Sequence, residues 1–171
     1  MCGRYRLSRR KEMIAEYFET NNEVDWEPRY NIAPSQQVGI VRQDPSRRTR
    51  HFSLARWGLI PSWARDASIG SKTINARSET AVSRPAFRDA FSSRRCLLPA
   101  DGFFEWSRHE VACVIVRRAR STGPAIPLAV LYEVWRFGTN RLEALGKCIP
   151  PSSKTGAETV KGRYFCQHRG G

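Results

Sequence analysis

The sequence predicts an α+β domain: a strand-rich, curled or barrel-like sheet with a few short helices, incomplete at its C-terminal end. Three observations carry this reading. Apolar runs are short and separated by Gly-, Pro- and Ser-marked breaks. Few segments show helical spacing. The 171 residues, 40% hydrophobic and 11% aromatic, fit one globular domain long enough to bury a core.

The elements follow in order. "SRRKEMIAEYFETNN" predicts a helix whose shared face is Met13, Ile14, Tyr17 and Phe18, with Asn21–Asn22 as its stop. "QQVGIVRQ" predicts a strand ended by "DPS". "RTRHFSLARWGLIP" predicts a strand alternating Phe52, Leu54 and then Trp57 before a Gly-Pro turn. "SRPAFRDAFSSRR" predicts a short helix with Ser83 as N-cap and Pro85 in its first turn. "RRCLLPADGFFEW" reads as strand, turn, strand, and "VACVIVRRA" and "IPLAVLYEVWR" as two buried strands. No internal repeat is visible. Past about Gly138 periodicity fades, so the compact domain is expected to span residues 1–136. Residues 137–171 are expected to be a loose tail, with one short helix at "RLEALGK".

Charge bounds the function. Lys and Arg number 29 against 16 Asp and Glu, a net +13, and most of the cations are arginine. Such a balance favours nucleic acid as partner. No apolar run reaches the length of a membrane span, and the N-terminus lacks the apolar core of a signal peptide. The expected location is the cytoplasm, at the nucleoid. The five cysteines, Cys2, Cys96, Cys113, Cys148 and Cys166, form no Cys-x-x-Cys pair. Neither a disulfide framework nor a zinc site is therefore expected, and no metal or cofactor is assigned. Cys96 and Cys113 read as small core residues.

Cys2 is different, because it directly follows the initiator methionine. A small second residue permits removal of Met1, which leaves an α-amine beside a thiol. That 1,2-aminothiol reacts with aldehydes as no internal cysteine does. Two further segments concentrate polar groups. "TINARSET" places Asn75, Arg77 and Glu79 at alternate positions, on one face if extended. "ADGFFEW" does the same with Asp101, Phe103 and Glu105. A carboxylate set between Phe104 and Trp106 is costly unless paired or used. The bland readings are a turn-bonded Asn75, a surface Arg77–Glu79 pair and tryptophans that anchor a core.

Seven segments recur in the order and spacing of one family: "MCGRY", "PRYNIAPSQ", "RWGLIPSWA", "INARSET", "FRDAF", "RRCLLPADGFFEW" and "PLAVLYEVW". Over residues 1–136 the chain resembles the SRAP family, the SOS response-associated peptidases or abasic-site processing proteins. The resemblance implies a protein that loses Met1 and cross-links through Cys2 to abasic sites in single-stranded DNA during the DNA damage response. It implies that Asn75 hydrogen-bonds the sugar and that Glu105 moves protons. It implies that Arg4 and Arg77 grip flanking phosphates and that Trp63 stacks on a base. The family is classed among hydrolases and lyases. A monomer is expected.

The chain departs from the family after Trp135, where the segment carrying the family histidine is missing. His51, His109 and His168 lack its context, and none is assigned its role. An open sheet edge is therefore expected. Two other readings stand beside the cross-linker. One is a single-strand binder that no longer reacts; the other is a cysteine peptidase limited to removing its own first residue.

Overall fold

The computed structural model describes residues 3–20, 25–44, 46–104 and 126–149. It contains β1 (Arg4–Leu7), α1 (Lys11–Phe18), β2 (Arg29–Ile32), β3 (Gln37–Gln43) and β4 (Arg50–Trp57). A 3₁₀ turn (Ala67–Lys72) leads to β5 (Asn75–Arg77), α2 (Ser78–Ala81) and α3 (Arg88–Ser93). Then come β6 (Arg95–Ala100), β7 (Gly102–Phe104), β8 (Ile126–Phe137) and β9 (Asn140–Ile149).

Strands β4, β3, β6, β8 and β9 hydrogen-bond in that order, and β9 returns to β4. The five strands thereby close into a barrel. The expected strand-rich, barrel-like α+β fold is what forms. Closure is made by a short parallel pairing, Arg56 with Ala144 and Trp57 with Leu145. A separate three-stranded sheet, β2–β1–β7, stands beside the barrel.

Register explains the core. Val38 pairs with Ala55, Cys96 with Val130, and Trp57 with Leu145, so these side chains share the barrel's inner face. All are buried. Trp57 is fully enclosed, donates its indole N–H to the Ile74 carbonyl at 2.9 Å, and meets Tyr5 edge-on at 5.6 Å. Phe52 and Leu54 lie on the opposite face of β4, out of phase with Trp57. Phe52 is buried edge-on against Trp26, and Leu54 is exposed. The expected single alternation through all three is thus two faces, one lining the barrel and one packed outside it.

Helix α1 forms where predicted and buries Ile14 and Phe18, but Tyr17 stays largely exposed. It stops at Glu19, whose φ of 53° is left-handed. The predicted stop at Asn21–Asn22 lies outside the described residues. The second helix starts later than predicted. Ser83 follows α2 in a turn, donating its backbone N–H to Thr80, and Phe87 is the N-cap of α3. The predicted strand 111–119 lies outside the described residues.

The largest correction concerns residues 140–149. The expected short helix at "RLEALGK" is instead strand β9, paired with β8 from Phe137–Asn140 to Val130–Lys147. A two-residue turn joins them, with Gly138 at φ 59° in its first central position, where glycine relieves the steric cost. Helical propensity loses to cross-strand pairing on two sides. The sheet therefore extends past the expected boundary at 136, and β9 closes the edge expected to be open. The remainder of the expected tail, from residue 150, lies outside the described residues.

Gly58 marks the exit from β4. Its φ is 137°, and a Cβ there would stand 2.5 Å from the Gly70 carbonyl oxygen. Gly58→Ala should therefore destabilise the fold by about 2–4 kcal/mol, through backbone strain plus a contact that cannot relax. A thermal melt reads this directly, and an unchanged midpoint would contradict the close approach of the two loops.

Candidate functional site

The residues singled out in the sequence lie on three pieces of this frame. Asn75 and Arg77 occupy β5, a three-residue strand laid parallel against the end of β9. Asn75 pairs with Lys147 and Arg77 with Ile149. Asn75 is partly buried and Arg77 is exposed. Glu79 does not continue their alternation, because the chain turns into α2 at Ser78. The expected three-residue face is therefore two residues long.

Arg4 lies at the start of β1, pairs with Phe104 of β7, and donates a hydrogen bond to the Asn31 side chain at 3.0 Å. The strand carrying it is fastened by Asp101, a buried carboxylate between β6 and β7. Asp101 accepts from the Ser8 backbone at 2.7 Å and its hydroxyl at 2.5 Å, and pairs with the Arg6 guanidinium at 2.9 Å. Its own N–H donates to the Arg6 carbonyl at 3.0 Å. Cys2 and Glu105 lie outside the described residues, as do His109 and His168. His51 sits exposed in β4, paired in register with Arg42 and with Thr49 Oγ1 at 3.2 Å from its Nε2.

Trp63 stands elsewhere. It is 55% exposed, in a turn, with its indole nitrogen 3.4 Å from the Pro85 carbonyl oxygen. It borders a cleft of about 310 Å³ together with Arg65, Ile69 and Lys72. The cleft walls include neither Asn75, Arg77 nor Arg4. Asp66 also lines the cleft. An aromatic face beside two cations suits a nucleobase next to phosphate, but the cleft stands apart from the described site residues Asn75, Arg77 and Arg4. Trp57, the other tryptophan of that motif, is core.

Sequence reading missed Lys147. It is 6% exposed, and its stem shares the barrel's inner face with Leu145 and Val130. Its ammonium nitrogen sits 5.5 Å from the centroid of Phe103 in β7. Lys147 thus links the barrel end at Asn75 to the sheet that carries Arg4. The glycine turn at "FGTN", set after an apolar strand, was the signal that a second strand follows. Cys96 behaves as expected: burial pushes its thiol well above the usual range, outweighing the pull of the Arg42 guanidinium, so it stays neutral.

Asp101→Asn should cost about 1–3 kcal/mol, because Arg6 keeps partial solvent access while the carboxylate loses its charge. Hydrogen exchange should then show protection lost first in β1 and β7. Uniform loss across the barrel would mean that Asp101 does not fasten that sheet in particular.

The description "SOS response associated peptidase (SRAP)" matches residues 1–153. The chain is 40% identical over 139 residues to the abasic site processing protein YoaM of Bacillus subtilis, covering 79% of this chain and 60% of that one. It is 35% identical over 116 residues to the abasic site processing protein YedK of Escherichia coli, covering 63% and 49%. A solved protein from Bacteroides thetaiotaomicron superposes with a TM-score of 0.76 at 24% identity, over 87% of this chain and 68% of that one. The chain spans about half to three fifths of the length of these curated relatives it matches. On the match over residues 1–153, reinforced by these relatives, the chain belongs to the SRAP family.

Proposed function

We propose that this chain captures abasic sites in single-stranded DNA and bonds to them covalently through Cys2 after loss of Met1. The observation that carries the reading is the family match, which begins at the first residue and so includes the Met-Cys-Gly start. Relatives named abasic site processing proteins support it, as does the net charge of +13.

The chemistry follows from the residues. An abasic deoxyribose opens to an aldehyde. An α-amine of ordinary pKa, about 7.7–8.0, is partly neutral at pH 7 and attacks it. Loss of water gives an imine, and the Cys2 sulfur closes on the same carbon to form a five-membered thiazolidine. Amine and thiol on adjacent carbons gain the rate advantage of an intramolecular reaction. In this reading Asn75 hydrogen-bonds the open sugar and Glu105 moves the protons. Arg4 and Arg77 hold flanking phosphates, and the Trp63 cleft takes a base. The exposure of Arg77 and Trp63 supports their availability to DNA.

Cys2→Ala should abolish a heat-stable adduct with an abasic single-stranded oligonucleotide, read by intact mass. Cys96→Ala should retain it, because that thiol is buried. Full adduct yield in Cys2→Ala would refute the cross-link. Binding without any adduct would leave a DNA-binding protein instead.

Salt tests the phosphate contacts. Arg4→Ala and Arg77→Ala should each weaken binding to single-stranded DNA. Each should also flatten the plot of log affinity against log salt by roughly 0.7. A slope that neither substitution changes would remove both arginines from the interface.

A further inference from the structure

The buried and partly buried charges among the described residues fall into two kinds. Asp101 has Arg6, and Glu133 has Arg94 at 2.7 Å. At one end of the barrel Arg42 meets Glu143 at 3.1 Å and lies over the Tyr132 ring. Lys147 lies toward the other end, two positions beyond Leu145 on the same inner face. Among the described residues no carboxylate approaches it within ion-pair distance, and its ammonium group rests against the Phe103 ring. Its register partner is Asn75, and Phe103 pairs with Tyr5, three positions on from Cys2 in the chain.

A lysine buried against apolar and aromatic groups is the setting in which enzymes use the amine as a Schiff-base nucleophile. We infer that Lys147 is a second amine nucleophile of this site, condensing with open-chain sugar aldehydes such as the one an abasic deoxyribose presents. The choice of aldehyde rests on the function proposed above. Lys147 first gives up its ammonium proton to water. The freed Nζ lone pair then attacks the aldehyde carbon, and a second proton passes from nitrogen to the former carbonyl oxygen. The resulting carbinolamine loses water and leaves a carbon–nitrogen double bond. Nothing is oxidised or reduced, and hydrolysis returns both partners. The imine hydrolyses more readily than a closed thiazolidine, and would hold the aldehyde at the site before the N-terminal residue engages it. The Asn75 side chain, on the adjacent strand and the same face, is placed to orient the sugar.

The test uses the full chain and a single-stranded oligonucleotide with one abasic site, with and without cyanoborohydride, which reduces an imine to a stable amine. Digestion and mass spectrometry then locate the bonded residue. With reductant, DNA should be trapped on Lys147. Lys147→Arg and Lys147→Met should each lower the adduct at that position by about tenfold or more, while Lys11→Arg on the exposed face of α1 should not change it. Trapping only at residue 2, or only on other lysines, overturns the inference. So does a Lys147→Arg variant that reaches the wild-type trapped yield, since it keeps the charge and lacks the nucleophile. If either variant fails to fold, the mapped position in the unaltered protein decides. The arm without reductant scores the residue-2 adduct separately. Its loss with trapping at Lys147 intact would refute the proposed cross-link and leave this inference standing; the reverse pattern would do the opposite.

Discussion

The parallel pairing of β4 with β9 is the constraint on which the rest of the molecule depends. It consists of two register pairs and one further bond, from the Gly58 N–H to the Leu145 carbonyl at 2.8 Å. Small as it is, it converts an open five-stranded sheet into a ring and removes two edges at once. It also builds the site. One edge of β9 is used twice, by β4 at residues 144–145 and by β5 at 147–149. At Gly58 the chain swings out of the sheet, passes through residues 59–74, and returns as β5 to the same edge. The return is stitched by Leu59 N–H to Thr73 O at 3.3 Å and Lys147 N–H to Ile74 O at 3.0 Å, with the Trp57 indole on the same carbonyl. Asn75 and Arg77 are held where they are because Trp57 and Leu145 closed the barrel first in space.

A second fastening sets the small sheet against that ring. Only Asp101 separates β6, a barrel strand, from β7, which belongs to the other sheet. Within that single residue the chain changes partners, and the buried carboxylate compensates by binding Ser8 and Arg6 at the far end of β1. Tyr5 adds an apolar tie through its edge-on contact with Trp57. Its phenol is buried deeply enough that ionisation is pushed far above the usual range. Arg4, Phe103 and the residues leading to Glu105 are therefore placed relative to the barrel by one charge cluster and one aromatic pair.

Much of this was legible in the sequence where the signal is local. The strands at "QVGIVRQ" and "IPLAVLYEVWR" declare themselves by apolar runs and turn residues, and α1 by its spacing. The Asn75–Arg77 pair on one face followed from strand period alone. What failed depended on contacts distant in sequence. Whether Phe52 or Trp57 faces the barrel interior depends on Trp26, which packs from another segment. "RLEALGK" has the composition of a helix, and only β8 on one side and β4 and β5 on the other make it a strand. Lys147 inherits that difficulty, because a lysine in an expected tail gives no hint that it will be enclosed. Trp63 shows the reverse case: its motif was clear, but no sequence pattern revealed that its cleft borders neither Asn75 nor Arg4.

The two ends of the barrel interior differ in a way that packing alone does not require. Taking a cation out of water is expensive, and a fold ordinarily recovers the cost by pairing it. The Arg42 end does so twice, with a carboxylate and an aromatic face. Among the described residues the Lys147 end recovers only what one aromatic ring supplies, which is on the order of 1–2 kcal/mol. A methionine of similar length would fill the same space without that cost. The under-compensated charge lies at the end where β5, β7 and β9 converge and where Asn75 stands in register with it. An incoming polar ligand would supply there what the protein itself leaves out.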